Sequence, residues 1–278
     1  MCIRDSYTNG GAGDFDVTGY TTPDAVLLQR SLVHVRNLGA SALAIEASSI
    51  GLHQGRLSGM HFDMALFTNF TRDHLDYHGD MAAYEEAKAM LFDWPGLQHA
   101  VINLDDAMGL RLVQRLQGKQ ANTAITGYTL GEQKVDGIGL LRATDIRSSQ
   151  SGTTFHLESE AGSAQVKTQL VGQFNVSNVL GIIGILLAKG VSLHDAVGAI
   201  EALTAVPGRM QQLGGGEAPL VVIDYAHTPD ALEKTLATLR NVANDRGGEL
   251  WCVFGCGGDR DPGKRPQMGK VAMAADHI

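Results

Sequence analysis

The sequence predicts an α/β protein: a mostly parallel sheet with flanking helices, followed by the opening half of a second α/β domain. Three observations support this. Short apolar runs at 42–47, 64–68, 100–104 and 124–128 alternate with segments of helical spacing, the pattern of βαβ units. From about Gly137 to Gly172 the period switches to two, with turn residues between the segments, as antiparallel strands require. Pro207-Gly208 and Gly214-Gly215-Gly216 then bracket a boundary, beyond which a new strand–helix–strand series begins.

Taken in order, residues 7–20 are glycine-rich and loop-like. Thr22-Pro23-Asp24 predicts a helix start, with Thr22 as cap, Pro23 at the first helical position and Asp24 in the positive first turn. Val26, Leu27, Leu32, Val35 and Leu38 supply its apolar positions, and Gly39 stops it. A second helix starts near Asp80 and carries Tyr84 and Lys88 four residues apart, on one face. Segments 139–146, 153–158 and 164–170 are the alternating strands. Phe174-Asn175 opens an apolar helix closed by Gly190, and Ser192 with Asp195 three residues on opens another in capping-box fashion. After the boundary, 220–224 reads as a strand, Thr228-Pro229-Asp230 as a helix start, and 250–254 as a strand running into Gly255-Cys256-Gly257-Gly258.

Composition excludes several classes. Hydrophobic content of 44% and charged content of 19% are ordinary for a globular protein, and 278 residues leave room for about two domains. A net charge of -8 argues against a general nucleic-acid binder. No apolar run approaches the ~18 residues needed to cross a bilayer, so no membrane association is expected. Three cysteines, Cys2, Cys252 and Cys256, make no disulfide framework and point to a reducing cytoplasm. Met-Cys-Ile-Arg-Asp-Ser lacks a signal-peptide core and resembles translated sequencing-library ends, so residues 1–6 are expected to be non-native.

The densest chemistry lies between Thr68 and Lys88. Asp73, His74, Asp76 and His78 follow an apolar run, at the carboxyl edge where open α/β sheets bind ligands. Glu46 ends another apolar run; on pattern alone it is either a helix cap or a ligand beside His74. The loop lacks the HExxH order and has no thiolate nearby, so carboxylates with one histidine suit magnesium or manganese better than zinc. His78 reads as structural rather than as a ligand. Lys88 reads either as a solvated cation or as a group reaching phosphate or metal. Asp224 to Pro229 forms a strand-to-helix corner able to hold a nucleotide or simply to cap the helix. Gly255 to Arg260 departs from GxGxxG at Arg260; with Asp261, Lys264 and Arg265 it reads as a loop presenting cations to carboxylates or phosphates.

Eight motifs, in order from about residue 20 to the end, resemble the Mur ligase family. They are Tyr20-Thr21-Thr22-Pro23-Asp24, Glu46-Ala47-Ser48-Ser49, the segment 69–79, Tyr84-Glu85-Glu86-Ala87-Lys88, Phe174-Asn175-Val176-Ser177-Asn178, Gly208-Arg209-Met210, the corner 224–230 and the loop 254–266. The resemblance implies a three-domain enzyme, of which residues 7–207 are the central ATP-binding domain, N-terminally truncated. Residues 208–278 would begin a Rossmann-like C-terminal domain, C-terminally truncated. It implies ATP-driven amide formation through an acyl phosphate, joining meso-2,6-diaminopimelate to UDP-N-acetylmuramoyl-L-alanyl-D-glutamate in peptidoglycan synthesis, by a monomer.

Carried over position by position, Glu46, His74 and Lys88 become magnesium (Mg2+) ligands, with Lys88 carbamylated. Thr21, Thr22, Ser48, Gln54 and Arg56 match positions binding the UDP-muramoyl dipeptide, and Arg260 matches an arginine on the incoming amino acid's carboxylate. Asn175, Arg209, Asp224 and His227 match positions around ATP. There are departures. Thr8-Asn9-Gly10-Gly11 has no lysine and lies too close to Thr21 to be the family's phosphate loop, so this stretch on its own is expected to be inactive. Ile50 stands where many relatives have histidine, and the Asp-Asn-Pro-Arg motif that recognises diaminopimelate is expected beyond Ile278. Lysine-adding and other Mur ligases, folylpolyglutamate synthase, a non-catalytic binder of the nucleotide sugar, and a zinc hydrolase using His74 and His78 are the competing readings.

Overall fold

A computed structural model describes residues 22–119, 122–149, 152–216, 218–257 and 263–278. The chain divides into two compact units, one of residues up to 65 together with 77–98, the other of 66–76 together with 99–278.

The first unit begins with α1 (Ala25–Asn37), whose cap is Asp24: its carboxylate accepts from the Val26 and Leu27 amides. This corrects the expected Thr22 cap. Thr22 is fully buried, and its hydroxyl is taken by Glu46 and Ser48, more than twenty positions away. The apolar face also differs from expectation, because Leu28 and Leu32 pack inward while Val26, Leu27 and Leu38 stay exposed. Segment 42–47, expected as a strand, forms no ladder among the described residues, and its first half is exposed. An extended run becomes a strand only where a neighbour supplies the other half of its hydrogen bonds. Ser48 then caps α2 (Ser49–His53), a single turn forms α3 (Leu75–His78), and Asp80 caps α4 (Met81–Ala89), which starts where expected. Leu28, Leu52 and Leu57, with Phe62 and Trp94 packed against them, form this unit's core.

The sheet has six strands in sequential order: β1 (Met64–Phe67), β2 (His99–Asn103), β3 (Ala124–Thr129), β4 (Gly139–Ser149), β5 (Gly152–Ser159) and β6 (Gly162–Thr168). β2, β3 and β4 pair in parallel; β4, β5 and β6 pair antiparallel, as the period-two segments predicted. α5 (Ala107–Gly118) makes the crossover between β2 and β3, and α6 (Gln173–Ala188) packs on β2, β3 and β4. α6 approaches so closely because Gly181 and Gly184 carry no side chain. A Cβ on Gly181 would lie 2.8 Å from Leu66, and one on Gly184 2.7 Å from Val101. Tyr128, fully buried in this core, donates its hydroxyl to the Phe67 carbonyl at 3.0 Å, and burial pushes its phenol above the ordinary range.

α7 (Leu193–Glu201) begins at the Ser192–Asp195 box, in which Ser192 Oγ accepts from the Asp195 amide at 3.1 Å. The polar β7 (Gln211–Gly214), within the expected boundary, pairs with β8 (Leu220–Ile223) in a separate two-stranded sheet. α8 (Pro229–Asp245) is capped by Thr228 with Pro229 at its start, as predicted. α9 (Lys264–Ala272) packs against α8 around Leu232, Leu236 and Met268. The expected strand at 250–254 is reduced to a single bridge, Trp251 to His277. No helix among the described residues is long and apolar enough to cross a membrane.

Candidate functional site

Four of the residues expected at the dipeptide site form one hydrogen-bonded cluster in the first unit. Thr22 Oγ1 donates to the Glu46 carbonyl at 3.1 Å, accepts from the Ser48 amide at 3.2 Å and lies 2.8 Å from Ser48 Oγ. Ser48 Oγ also accepts from the Gly51 amide at 3.1 Å, closing the first turn of α2. Arg56 donates Nη1–H to the Thr22 carbonyl at 3.0 Å and Nε–H to Gln54 Oε1 at 2.8 Å. The threonine hydroxyl is thus the joint between the strand-like segment ending at Glu46 and the start of α2. Gly51 is required there, since a Cβ would lie 2.8 Å from the Thr22 side chain.

Lys88 is half-buried near the end of α4, its Nζ 5.3 Å from the centre of the Tyr84 ring. Tyr84 is buried and stacks on His78 with ring centres 5.2 Å apart. His78 in turn shares a hydrogen bond of 3.0 Å with Ser49 Oγ. The second histidine of the loop is therefore held inside this unit's own packing.

The loop after β1 belongs to the second unit and is pinned from below. Asn103 Nδ2 donates to the Thr68 carbonyl at 2.6 Å, and Asp106, the cap of α5, accepts the Phe70 amide at 2.7 Å. His74 sits at the left-handed value φ 54, its amide donating to Asp73 Oδ1 at 2.9 Å. Non-glycine residues visit this region rarely, and such positions cluster where a side chain has to be aimed. Asp73 Oδ2 also meets His227 Nε2 at 3.3 Å, and Oδ1 meets Lys264 Nζ at 3.4 Å. Burial alone would raise the Asp73 carboxyl. The His227 hydrogen bond, the His74 charge and amide, and Lys264 outweigh it and hold the group far below the usual carboxylate range.

Three of the four residues expected around ATP meet at the corner before α8. Asp224 Oδ2 accepts the Met210 amide at 3.0 Å, and Oδ1 accepts the Ala226 amide at 2.9 Å. The Arg209 guanidinium lies 4.7 Å from the centre of the Tyr225 ring. His227 Nδ1 is 3.1 Å from the Tyr225 carbonyl. Asn175 stands apart in the first turn of α6, donating Nδ2–H to the Val171 carbonyl at 2.8 Å. Thr21 and Arg260 lie outside the described residues.

In sequence Asp73 is only one member of an acidic and histidine-rich run, and Lys264 one cation of a basic loop; the structure pairs them. The signal that could have found the pair is the basic stretch itself, which needs an anion nearby.

The candidate metal ligands fall in both units, Glu46 and Lys88 in one and His74 in the other. Carboxylate and imidazole donors such as Glu46 and His74 are chemically suited to a hard divalent cation.

A family model of the Mur ligase middle domain matches residues 4–186, and a model of the Mur ligase glutamate ligase domain matches residues 208–278. A protein of Janthinobacterium sp. (strain Marseille), named UDP-N-acetylmuramoyl-L-alanyl-D-glutamate–2,6-diaminopimelate ligase, is 89% identical over 272 residues, which cover 98% of this chain and 54% of the relative. A protein of the same name from Ralstonia nicotianae (strain ATCC BAA-1114 / GMI1000) is 55% identical over 265 residues, 94% of this chain and 51% of the relative. A solved structure, also of a protein so named, superposes with a TM-score of 0.73 at 42% identity, covering 95% of this chain and 53% of that one. A pseudomurein peptide ligase type C from Methanothermus fervidus shares the fold at 19% identity, with a TM-score of 0.63 over 83% of this chain and 50% of its own. The chain spans about half the length of the curated relatives it matches.

Proposed function

Because the chain belongs to the Mur ligase family, we propose that the protein of which it forms part joins meso-2,6-diaminopimelate to UDP-N-acetylmuramoyl-L-alanyl-D-glutamate at the expense of ATP. The observation that carries this reading is the 89% identity, along nearly the whole chain, to a ligase of that name. The clustering of Thr22, Ser48, Gln54 and Arg56 adds to it, since hydroxyls, an amide and a guanidinium within one hydrogen-bonded patch suit a polar, anionic ligand such as a nucleotide sugar.

The chemistry proceeds in two balanced steps. The side-chain carboxylate of D-glutamate attacks the γ-phosphorus of ATP, forming an acyl phosphate and releasing ADP. An amine of diaminopimelate then attacks the acyl carbon; it loses a proton, inorganic phosphate leaves and an amide remains. Catalysis of both steps rests on positioning and on neutralising transferred charge. Magnesium bound by Glu46, His74 and carbamylated Lys88 would supply that neutralisation. Thr22, Ser48, Gln54 and Arg56 hold the dipeptide substrate, with Thr21 beside them. Arg209, Asp224 and His227 shape the corner that receives the nucleotide, Asn175 contributes from α6, and Arg260 meets the carboxylate of the incoming amino acid. The enzyme works as a monomer in the cytoplasm.

Phosphate release by the full-length protein tests the reading. It should require ATP, the UDP-dipeptide and diaminopimelate together, with magnesium present. Release that is indifferent to the dipeptide rejects it, and release supported by lysine in place of diaminopimelate reassigns the amino-acid specificity.

A further inference from the structure

His78 is the second histidine of the loop and has no part in the chemistry above, yet its imidazole meets three other rings and a hydroxyl of the first unit. Its imidazole lies nearly parallel to the Tyr84 ring, at 24° and 5.2 Å between centres. Tyr77 meets it edge-on at 4.8 Å, and His53 does so at 6.1 Å. Tyr77 OH and His53 Nδ1 are themselves hydrogen-bonded at 2.9 Å. Nε2 of His78 shares its hydrogen bond with Ser49 Oγ, and Ser49 is buried.

These contacts face two candidate sites at once. Ser49 is the first residue of α2, next to Ser48, whose hydroxyl touches Thr22. Tyr84 is the ring beneath the Lys88 ammonium, one turn away on α4. One imidazole therefore joins the start of α2, which carries the dipeptide cluster, to the face of α4, which carries the candidate carbamate lysine. A buried hydroxyl left without its partner is costly, so the histidine edge fixes the rotation of the first turn of α2. A ring packed face to face with Tyr84 fixes the platform against which Lys88 lies.

We propose that His78 is a positioning residue that sets the dipeptide pocket through its edge and the Lys88 side chain through its face. This rests on the ligase reading and adds to it a division of labour within a single side chain. The two halves separate by substitution. His78→Phe keeps an aromatic face for Tyr84 and removes the hydrogen bond to Ser49. Ser49→Ala removes the same bond from the other side. His78→Gln keeps a polar group for Ser49 and removes the ring.

The test is steady-state phosphate release by the full-length protein, with KM measured separately for the UDP-dipeptide and for ATP. His78→Phe and Ser49→Ala should each raise KM for the dipeptide about tenfold while leaving KM for ATP within about twofold. The double variant should be no worse than either single one, because both remove one interaction. His78→Gln should instead lower kcat and raise the magnesium concentration needed for half-maximal rate, with a smaller change in the dipeptide KM. If His78→Phe does not fold, Ser49→Ala, which deletes a single hydroxyl, reads the same bond. Equal changes in both KM values, additive effects in the double variant, or unchanged kinetics overturn the proposal. A wild type that releases phosphate without the dipeptide rejects the ligase reading and this role with it. A dipeptide-dependent wild type with kinetically silent variants rejects this role alone.

Discussion

Asp73 and His227 meet at 3.3 Å although 154 positions of sequence separate them. With Lys264 on the other carboxylate oxygen, Asp73 ties the loop that carries His74 to the first turns of α8 and α9. The contact joins the strand-end loop proposed for the metal to the corner proposed for the nucleotide.

Asp73 and Lys264 are expected to be energetically coupled. Asp73→Asn and Lys264→Met should each destabilise the protein, and the double variant should lose less than their sum, by about 1 kcal/mol. Urea unfolding of the four proteins in one buffer reads the coupling. Strict additivity would show that the ion pair contributes nothing in solution.

Lys88 distinguishes a carbamate from a simple cation. Lys88→Arg keeps a positive charge in place but cannot take up CO2 to give a two-oxygen ligand, so its phosphate release should fall as far as that of Lys88→Ala, by about a hundredfold or more. Arginine activity near wild type would assign the position to charge alone.

Thr22 holds its unit together through a fully buried hydroxyl. Thr22→Val keeps the shape but deprives the Ser48 amide of its acceptor and the Glu46 carbonyl of its donor, a loss of about 1–3 kcal/mol. Thermal melting measures it, with Thr22→Ser, which retains the hydroxyl, expected close to wild type.

Acid sensitivity should have a local source at Asp276. The hydrogen bonds from Arg240 and from the Leu250 amide hold its carboxyl below the ordinary value of 3.8 despite a small opposing effect of burial. Its stabilising contribution is therefore complete above the unfolded value and is lost as pH falls through the lower folded one. Following Trp251 fluorescence in a Trp94→Phe background, Asp276→Asn should melt with a flatter dependence on pH below about 4. A parallel acid limb in the two proteins would place the titration elsewhere.

The sequence was most legible where structure is set by neighbours in the chain. The cap and proline at Thr228-Pro229, the Ser192–Asp195 box and the period-two strands 139–168 form as their residues dictate. It was least legible where a distant partner decides. The Thr22 hydroxyl left its local helix for Glu46 and Ser48, so Asp24 took the cap. Segments 42–47 and 250–254 have strand-like residues but form no ladder among the described residues. The polar Gln211-Gln212 pair became a strand because β8 lies beside it. Among candidate site residues, the resemblance to the Mur ligase family pointed to Thr22, Ser48, Gln54, Arg56, Arg209, Asp224 and His227, which the fold gathers into two clusters. Asp73 with Lys264 needed the three-dimensional structure, because the two are 191 positions apart in sequence.

The sheet's two halves meet at β4, which pairs in parallel with β3 and antiparallel with β5. Only two residues separate β4 from β5 and β5 from β6, whereas β2 and β3 can pair only after the α5 crossover has closed. Short loops close in well under a microsecond and hairpins in microseconds, while contacts between distant segments wait on chain entropy. The three-stranded meander is therefore expected to form first, with the edge of β4 as the template on which the parallel strands assemble. Val166→Ala in β6 should therefore slow refolding, whereas Val101→Ala in β2 should mainly hasten unfolding, a difference that stopped-flow chevrons of the two variants would resolve.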